Sequence, residues 1–177
     1  MKIYLIVLLS FLGQWVFGQS ENRIEGPVIF GYGATYEIED PDFEIDADQE
    51  YKVIFDLYQK NSNPEKINTS LNTIARFINM HANLGVDVSD MKIVAVVHGS
   101  ASSDIMDDEF HNEKYDVDNP NADLISKLQK AGVEFYLCGQ TMHVRNLDRD
   151  QILEGVNVAL SAMTVNNYFV AKGYSQL

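Results

Sequence analysis

Hydrophobic residues arrive along this chain in short unbroken runs, and between the runs they recur at helical spacing. "YKVIFDL" (Tyr51 to Leu57), "MKIVAVVHG" (Met91 to Gly99) and "VEFYLCG" (Val133 to Gly139) are rich in β-branched and aromatic residues and almost wholly apolar. A run of that length and composition reads as a strand buried on both faces. Between the first two runs, Ile67, Leu71, Ile74 and Ile78 recur with Phe77 beside them, the spacing of an amphipathic helix. Asn63 is the expected cap of that helix, Pro64 its first residue and Gly85 its stop. "DNPNADLISKLQKAG" repeats the grammar, with Asn119 as cap, Pro120 first, Leu124, Ile125 and Leu128 on the apolar face, and Gly132 as stop. "GVNVALSA" (Gly155 to Ala162) reads as a fourth short strand running straight into a last helix, which Gly173 ends. Strands that alternate with helices predict an α/β fold, a three-layer α/β/α sandwich around a mostly parallel sheet with right-handed crossovers.

The N-terminal part departs from this rhythm. "MKIYLIVLLSFLGQWVFG" has a basic Lys2, an apolar run, and Val16 and Gly18 at the spacing of a signal-peptidase site. Residues 1–18 are therefore expected to be a signal peptide cleaved near Gly18, leaving a periplasmic or secreted protein. No later apolar stretch is long enough to span a membrane. Residues 19–50 read as an acidic extension and 51–177 as the α/β domain. Within the extension, Val28 to Ile38 is expected to form an extended arm or an edge strand. Glu37 to Glu50 holds eight acids and no base. It lacks the turn glycine of an EF-hand loop, so a solvated acidic loop or ribbon is the preferred reading over a calcium site.

Composition narrows the partners. The chain has 13 basic and 26 acidic residues and a net charge of −13. Such a surface repels nucleic acid, whose binding depends on Lys and Arg meeting phosphates, and it repels anionic lipid. Cys138 is the single cysteine, so no internal disulfide can form, and the thiol is buried and inert, paired between chains, or reactive. A chain of 177 residues can build a core without a staple.

Parallel sheets gather ligands beyond the carboxyl ends of their strands. Those ends are Asp56, then His98-Gly99, then Cys138-Gly139-Gln140, with Ser161 near the fourth. An acid, an imidazole, a thiol and an amide thus fall on one predicted rim. Gly139 is expected to turn the chain sharply after Cys138. Cys138 itself could be a small core residue or a thiol activated by a nearby cation, and His98, His143 and Arg145 are the candidate cations. His143 reads as a loop residue. Zinc on Cys138 with His98, His111 or His143 lacks the tight ligand spacing of such sites, so neither metal nor cofactor is expected. "GYG" at Gly31 to Gly33 has no strand-to-helix setting and is no phosphate loop. Asp104 to Tyr115 reads as a solvated helix, with a lid as the alternative. Nothing resembles a serine elbow, a Walker lysine or a close carboxylate pair, so a hydrolase or kinase reading has no support.

"YKVIFDL", "MKIVAVVHGSA", "NPNADLISKLQKAGVEFYLCGQTM" and "GVNVALSAMTVNNYFVAKGY" together resemble the DsrE/DsrF-like family, in particular its exported branch, from about Tyr51 to Tyr174. The CGQ run with its following hydroxyl and the HG after the second strand carry most of the likeness. The resemblance implies the three-layer fold and a homo-oligomer, a trimer or hexamer. Members in sulfur relay systems carry sulfur as a persulfide on a cysteine, and Cys138 falls on that position. His98, Gly99, Gly139, Gln140 and Asp56 would then line the ligand, with a sulfur donor or acceptor protein as possible partner. Thr141 stands where a serine is common, and export would separate this chain from a cytoplasmic relay. A thiol-based sulfur carrier is thus the leading expectation, and a non-catalytic oligomeric module holding a small ligand is the alternative.

Overall fold

A computed structural model describes residues 23–177, so the expected signal peptide lies outside the described residues. The apolar runs are strands: β3 (Tyr51–Leu57), β4 (Met91–Val97), β5 (Glu134–Cys138) and β6 (Val156–Ala159). The helices between them are α1 (Thr69–Asn83), α2 (Asp108–Tyr115), α3 (Ala122–Lys130), α4 (Gly139–Val144) and α5 (Ala162–Ala171). Two-residue strands complete the set: β1 (Arg23–Ile24), β2 (Thr35–Tyr36) and β7 (Ser175–Gln176). The main sheet runs β6-β5-β4-β3-β7, and each pair is parallel.

That order dictates the layers. From β3 to β6 each crossover steps to the next neighbour in one direction, whereas the return from β6 to β7 passes back over the other strands. Right-handed connections of opposite direction lie on opposite faces. Leu71, Ile74 and Ile78 of α1 and Leu124, Ile125 and Leu128 of α3 accordingly pack on Phe55, Ala95 and Phe135. Ala162 and Val165 of α5 pack on Ile54, Val94 and Val96. The α/β three-layer expectation holds, with α5 alone covering the second face among the described helices.

Two helix starts differ from the expectation. Asn63 caps only a turn, its Oδ1 accepting from the Glu65 N–H at 2.9 Å. The cap of α1 is Asn68, whose side chain accepts from the Ser70 N–H. Asn119 likewise accepts from the Asn121 N–H at 2.9 Å, and α3 starts one residue after Asn121. The reason is tertiary. Asn68 Nδ2 donates to Asp104 Oδ2 at 2.6 Å, Asn121 Nδ2 donates to its Oδ1 at 3.3 Å, and Asn121 Oδ1 accepts from the Asn68 N–H at 2.7 Å. The buried Asp104 carboxylate therefore ties the starts of α1 and α3 together. Burial pushes its pKa from 3.8 up to about 6, against the pull of Asn68, Lys60 and Asn121.

Of the stretch from Val28 to Ile38, only Thr35–Tyr36 is a strand, paired with β1, and the residues before it form a turn rather than an extended arm. Gly31 and Gly33 have positive φ, which breaks extension. Asn79 of α1 accepts from the Ile29 N–H at 2.8 Å and donates to the Tyr32 carbonyl at 2.9 Å. Ile29 is 1% exposed within the same core as α1. A Cβ on Gly33 would lie 2.3 Å from the backbone of Ala75 and Arg76, so only glycine lets this turn lie on the helix. Residues 37–50 carry neither helix nor strand. Asp104 and His111 are buried, so the stretch read as a solvated helix or lid is anchored at both: His111 Nδ1 bonds the Val117 carbonyl at 2.7 Å.

Candidate functional site

Alternation along the strands aims the rim residues. In β3, Phe55 and Leu57 face α1 and α3 while Ile54 faces α5, so Asp56 also points to the α5 side. In β4, Val94 and Val96 face α5, and His98 continues that set in extended conformation, with φ −152° and ψ −178°. Cys138 packs with the α5-side residues directly. Val97 pairs with Leu137 in the register of β4 and β5, which sets His98 and Cys138 at the next step of adjacent strands. Asp56, His98 and Cys138 thus share one face of three neighbouring strands.

His98 Nε2 lies 2.9 Å from Asp56 Oδ1, and Gln176 Nε2 donates to the other carboxylate oxygen at 3.4 Å. The pair is partly open, with side chains 23% and 27% exposed. The Tyr58 ring leans on the imidazole at 5.1 Å between centroids. Gly99, at φ +58°, turns the chain out of the strand where a Cβ would sit 2.4 Å from that tyrosine ring. Its N–H donates to Thr141 Oγ1 at 3.2 Å, joining the β4 and β5 ends.

Cys138 closes β5 and sits at the cap position of α4, 6% exposed. The expected sharp turn at Gly139 is absent. Gly139 is the first residue of α4 and does not have positive φ. What it requires is closeness: a Cβ there would be 2.7 Å from the Ala159 carbonyl oxygen of β6. His143 lies in the last turn of α4 rather than in a loop, and is exposed. Gln140 Nε2 donates to the Leu160 carbonyl at 3.2 Å and bridges α4 to the β6–α5 junction.

Burial pushes the Cys138 thiol up, but the N–H groups of Thr141, Ala162 and Gln140 and the Thr141 hydroxyl face the sulfur and bring its pKa below the ordinary value. The causes are amides and a hydroxyl, not the cations His98, His143 or Arg145. Ala162 is the first residue of α5. Ser161 Oγ accepts from the Thr164 N–H at 3.1 Å, which leaves the Ala162 N–H, a donor with no partner inside the helix, for the sulfur. Thr141, Ala162, Tyr58 and Gln176 are site residues that sequence reading missed. Thr141 was reachable, three residues after a cysteine at a helix start. Ala162 and Gln176 come from distant segments and carried no local signal.

A cavity of about 270 Å³ is lined by Gly99, Gln140, Thr141, Val144 and Arg145, and reaches the thiol's surroundings through Thr141. A larger one of about 470 Å³ lies along α3 and β6, near Ile125, Gln129, Leu153 and Asn157, and holds none of the rim residues. Among the described residues, no three of the His, Cys, Asp and Glu side chains gather as a metal site would need. No described helix is long and apolar enough to cross a membrane.

The solved structure of MTH1491, a protein of unknown function from Methanobacterium thermoautotrophicum, is similar with a TM-score of 0.52. The match covers 72% of this chain and 97% of that one at 20% identity, which speaks for the fold alone. No curated protein matches. The family profile described as DsrE/DsrF-like matches residues 52–177, spanning every strand of the main sheet and the whole rim, and the chain belongs to that family.

Proposed function

We propose that this protein accepts and holds sulfane sulfur on Cys138 as a persulfide. The observation that carries this reading is the thiol itself: a nearly buried sulfur whose pKa is nevertheless held low by donors from two helix starts. The thiolate is the nucleophile in sulfur exchange. It attacks the terminal sulfur of a persulfide donor, the donor's S–S bond breaks, and the donor thiolate leaves with the electron pair. Cys138 then carries the extra sulfur, with no net oxidation or reduction. His98 stands one strand away with Asp56 behind it at 2.9 Å, and the carboxylate orients the imidazole at the rim where the donor thiolate leaves. Family membership supports a sulfur-relay role at the coarse level.

Export, a donor or acceptor protein and assembly as a trimer or hexamer complete the proposal. The N-terminal apolar run supports the first, and exposed Val144, Leu160 and Met163 support the last. The test is intact mass after incubation with polysulfide. Wild type should gain sulfur that a reductant removes, and Cys138→Ser should gain none. Equal gain by both, or none by either, rejects the reading. The 6% exposure of Cys138 favours one competitor, a module that binds a small ligand in the rim cavity without thiol chemistry. That competitor requires Cys138 to resist alkylation in the folded protein.

A further inference from the structure

Thr141 faces two ways. Its hydroxyl reaches the Cys138 sulfur and accepts from the Gly99 N–H at 3.2 Å, and the same residue lines the rim cavity of about 270 Å³. Arg145 follows it by four positions and lines that cavity too. Residues at i and i+4 share a helix face, so the Arg145 backbone lies about 6 Å along the axis from the residue that touches the thiol. Among the described residues Arg145 enters no ion pair. It is also absent from the groups that lower the thiol pKa. In a chain with 26 acidic and 13 basic residues, an arginine at a cavity mouth with no carboxylate on it is available to a ligand.

We propose that Arg145 sets the charge of the sulfur donor, selecting small sulfane-sulfur compounds that carry a carboxylate or sulfonate. The inference rests on the sulfur-carrier reading and adds the substrate class to it. A surface of net charge −13 repels such anions, and one guanidinium on the cavity that Thr141 shares offsets the local field where the donor must dock. Arginine also binds a planar oxyanion through two parallel N–H donors. The cavity is smaller than the clefts that take drug-sized ligands, which fits a donor of few heavy atoms. The step is the one already described: sulfur passes to Cys138 and the anionic thiolate fragment departs with the bonding electrons.

The experiment compares two reagents of nearly equal size, iodoacetate and iodoacetamide, at the single thiol. In each case the Cys138 thiolate attacks carbon and iodide leaves, so only the reagent's charge differs. Arg145→Gln should slow iodoacetate about tenfold and leave iodoacetamide unchanged. Arg145→Lys should restore most of the iodoacetate rate, and added salt should narrow the gap in wild type. The proposal is overturned if both rates fall together or if neither moves. Polysulfide loading is read separately on the same variants. Loading that persists with no charge discrimination removes the role of Arg145 alone, whereas no loading of wild type removes the carrier reading itself.

Discussion

At the residue scale the proposed function turns on how the Cys138 sulfur is held. Taking a thiol out of water favours its neutral form, and each donor aimed at the sulfur favours the anion. Here the donors win, and the net direction is down. Thr141 is the one donor that a mutation can remove without touching the backbone. A hydrogen bond to a charged group contributes about 1.5–3 kcal/mol. Thr141→Val should therefore cut the rate of iodoacetamide labelling near neutral pH by about ten- to a hundredfold. The midpoint of the pH–rate curve should move up, and Thr141→Ser should behave as wild type. A midpoint that stays put in Thr141→Val would mean the amides hold the anion alone. This arrangement was half legible. "LCGQT" showed a thiol at a strand end with a hydroxyl near it. The Ala162 N–H comes from a helix that reaches the thiol through sheet topology, and no local pattern announces it.

At the element scale, Asp104 couples the starts of α1 and α3. Its folded pKa of about 6 lies above the ordinary 3.8. The folded state thus holds this proton more tightly than the unfolded chain does. Its contribution to stability is fullest below the ordinary value, declines as pH rises from 3.8 to about 6, and is flat above. At neutral pH the buried charge costs on the order of 3 kcal/mol relative to acid. Other carboxylates titrate as well, so the informative quantity is a difference. The unfolding free energy of Asp104→Asn minus wild type, from urea melts, should rise between ~pH 4 and ~pH 7. A difference that is constant with pH would show that Asp104 has the same pKa in the folded and unfolded chain. The same carboxylate explains which helix boundaries could be read. Asparagines near both starts were visible, but the choice of Asn68 over Asn63 and of Asn121 over Asn119 rests on contacts made across 36 and 17 residues. Strands β3, β4 and β5 were plain because burial on both faces leaves unbroken apolar runs. The six residues of α4 and the two of β7 are too few to show a period.

At the scale of the whole molecule the two faces of the sheet are unequal. α1 and α3 bury one face, while the ten residues of α5 stand alone on the other. Val144 and Met163 are each 79% exposed and Leu160 72%, with Tyr168 and Val170 at least half exposed beside them. Single exposed apolar residues need no explanation, but a group of them on α5 and at the end of α4 is what the proposed assembly would need as its contact surface. The proposed trimer or hexamer would bury it with a second copy, on the side of the sheet that carries Cys138. Met163 is the residue to change. It lies in the first turn of α5, where a carboxylate is favourable to the helix dipole, so Met163→Glu should leave the monomer folded. At a subunit interface the same substitution removes a buried side chain worth about 1.5–3 kcal/mol and inserts a charge with no partner. Sedimentation at micromolar concentration should give an oligomer for wild type and a smaller species for Met163→Glu, with the same helix signal in circular dichroism. A wild-type protein that sediments as a monomer removes the assembly, and an oligomer indifferent to Met163→Glu moves the contact off α5.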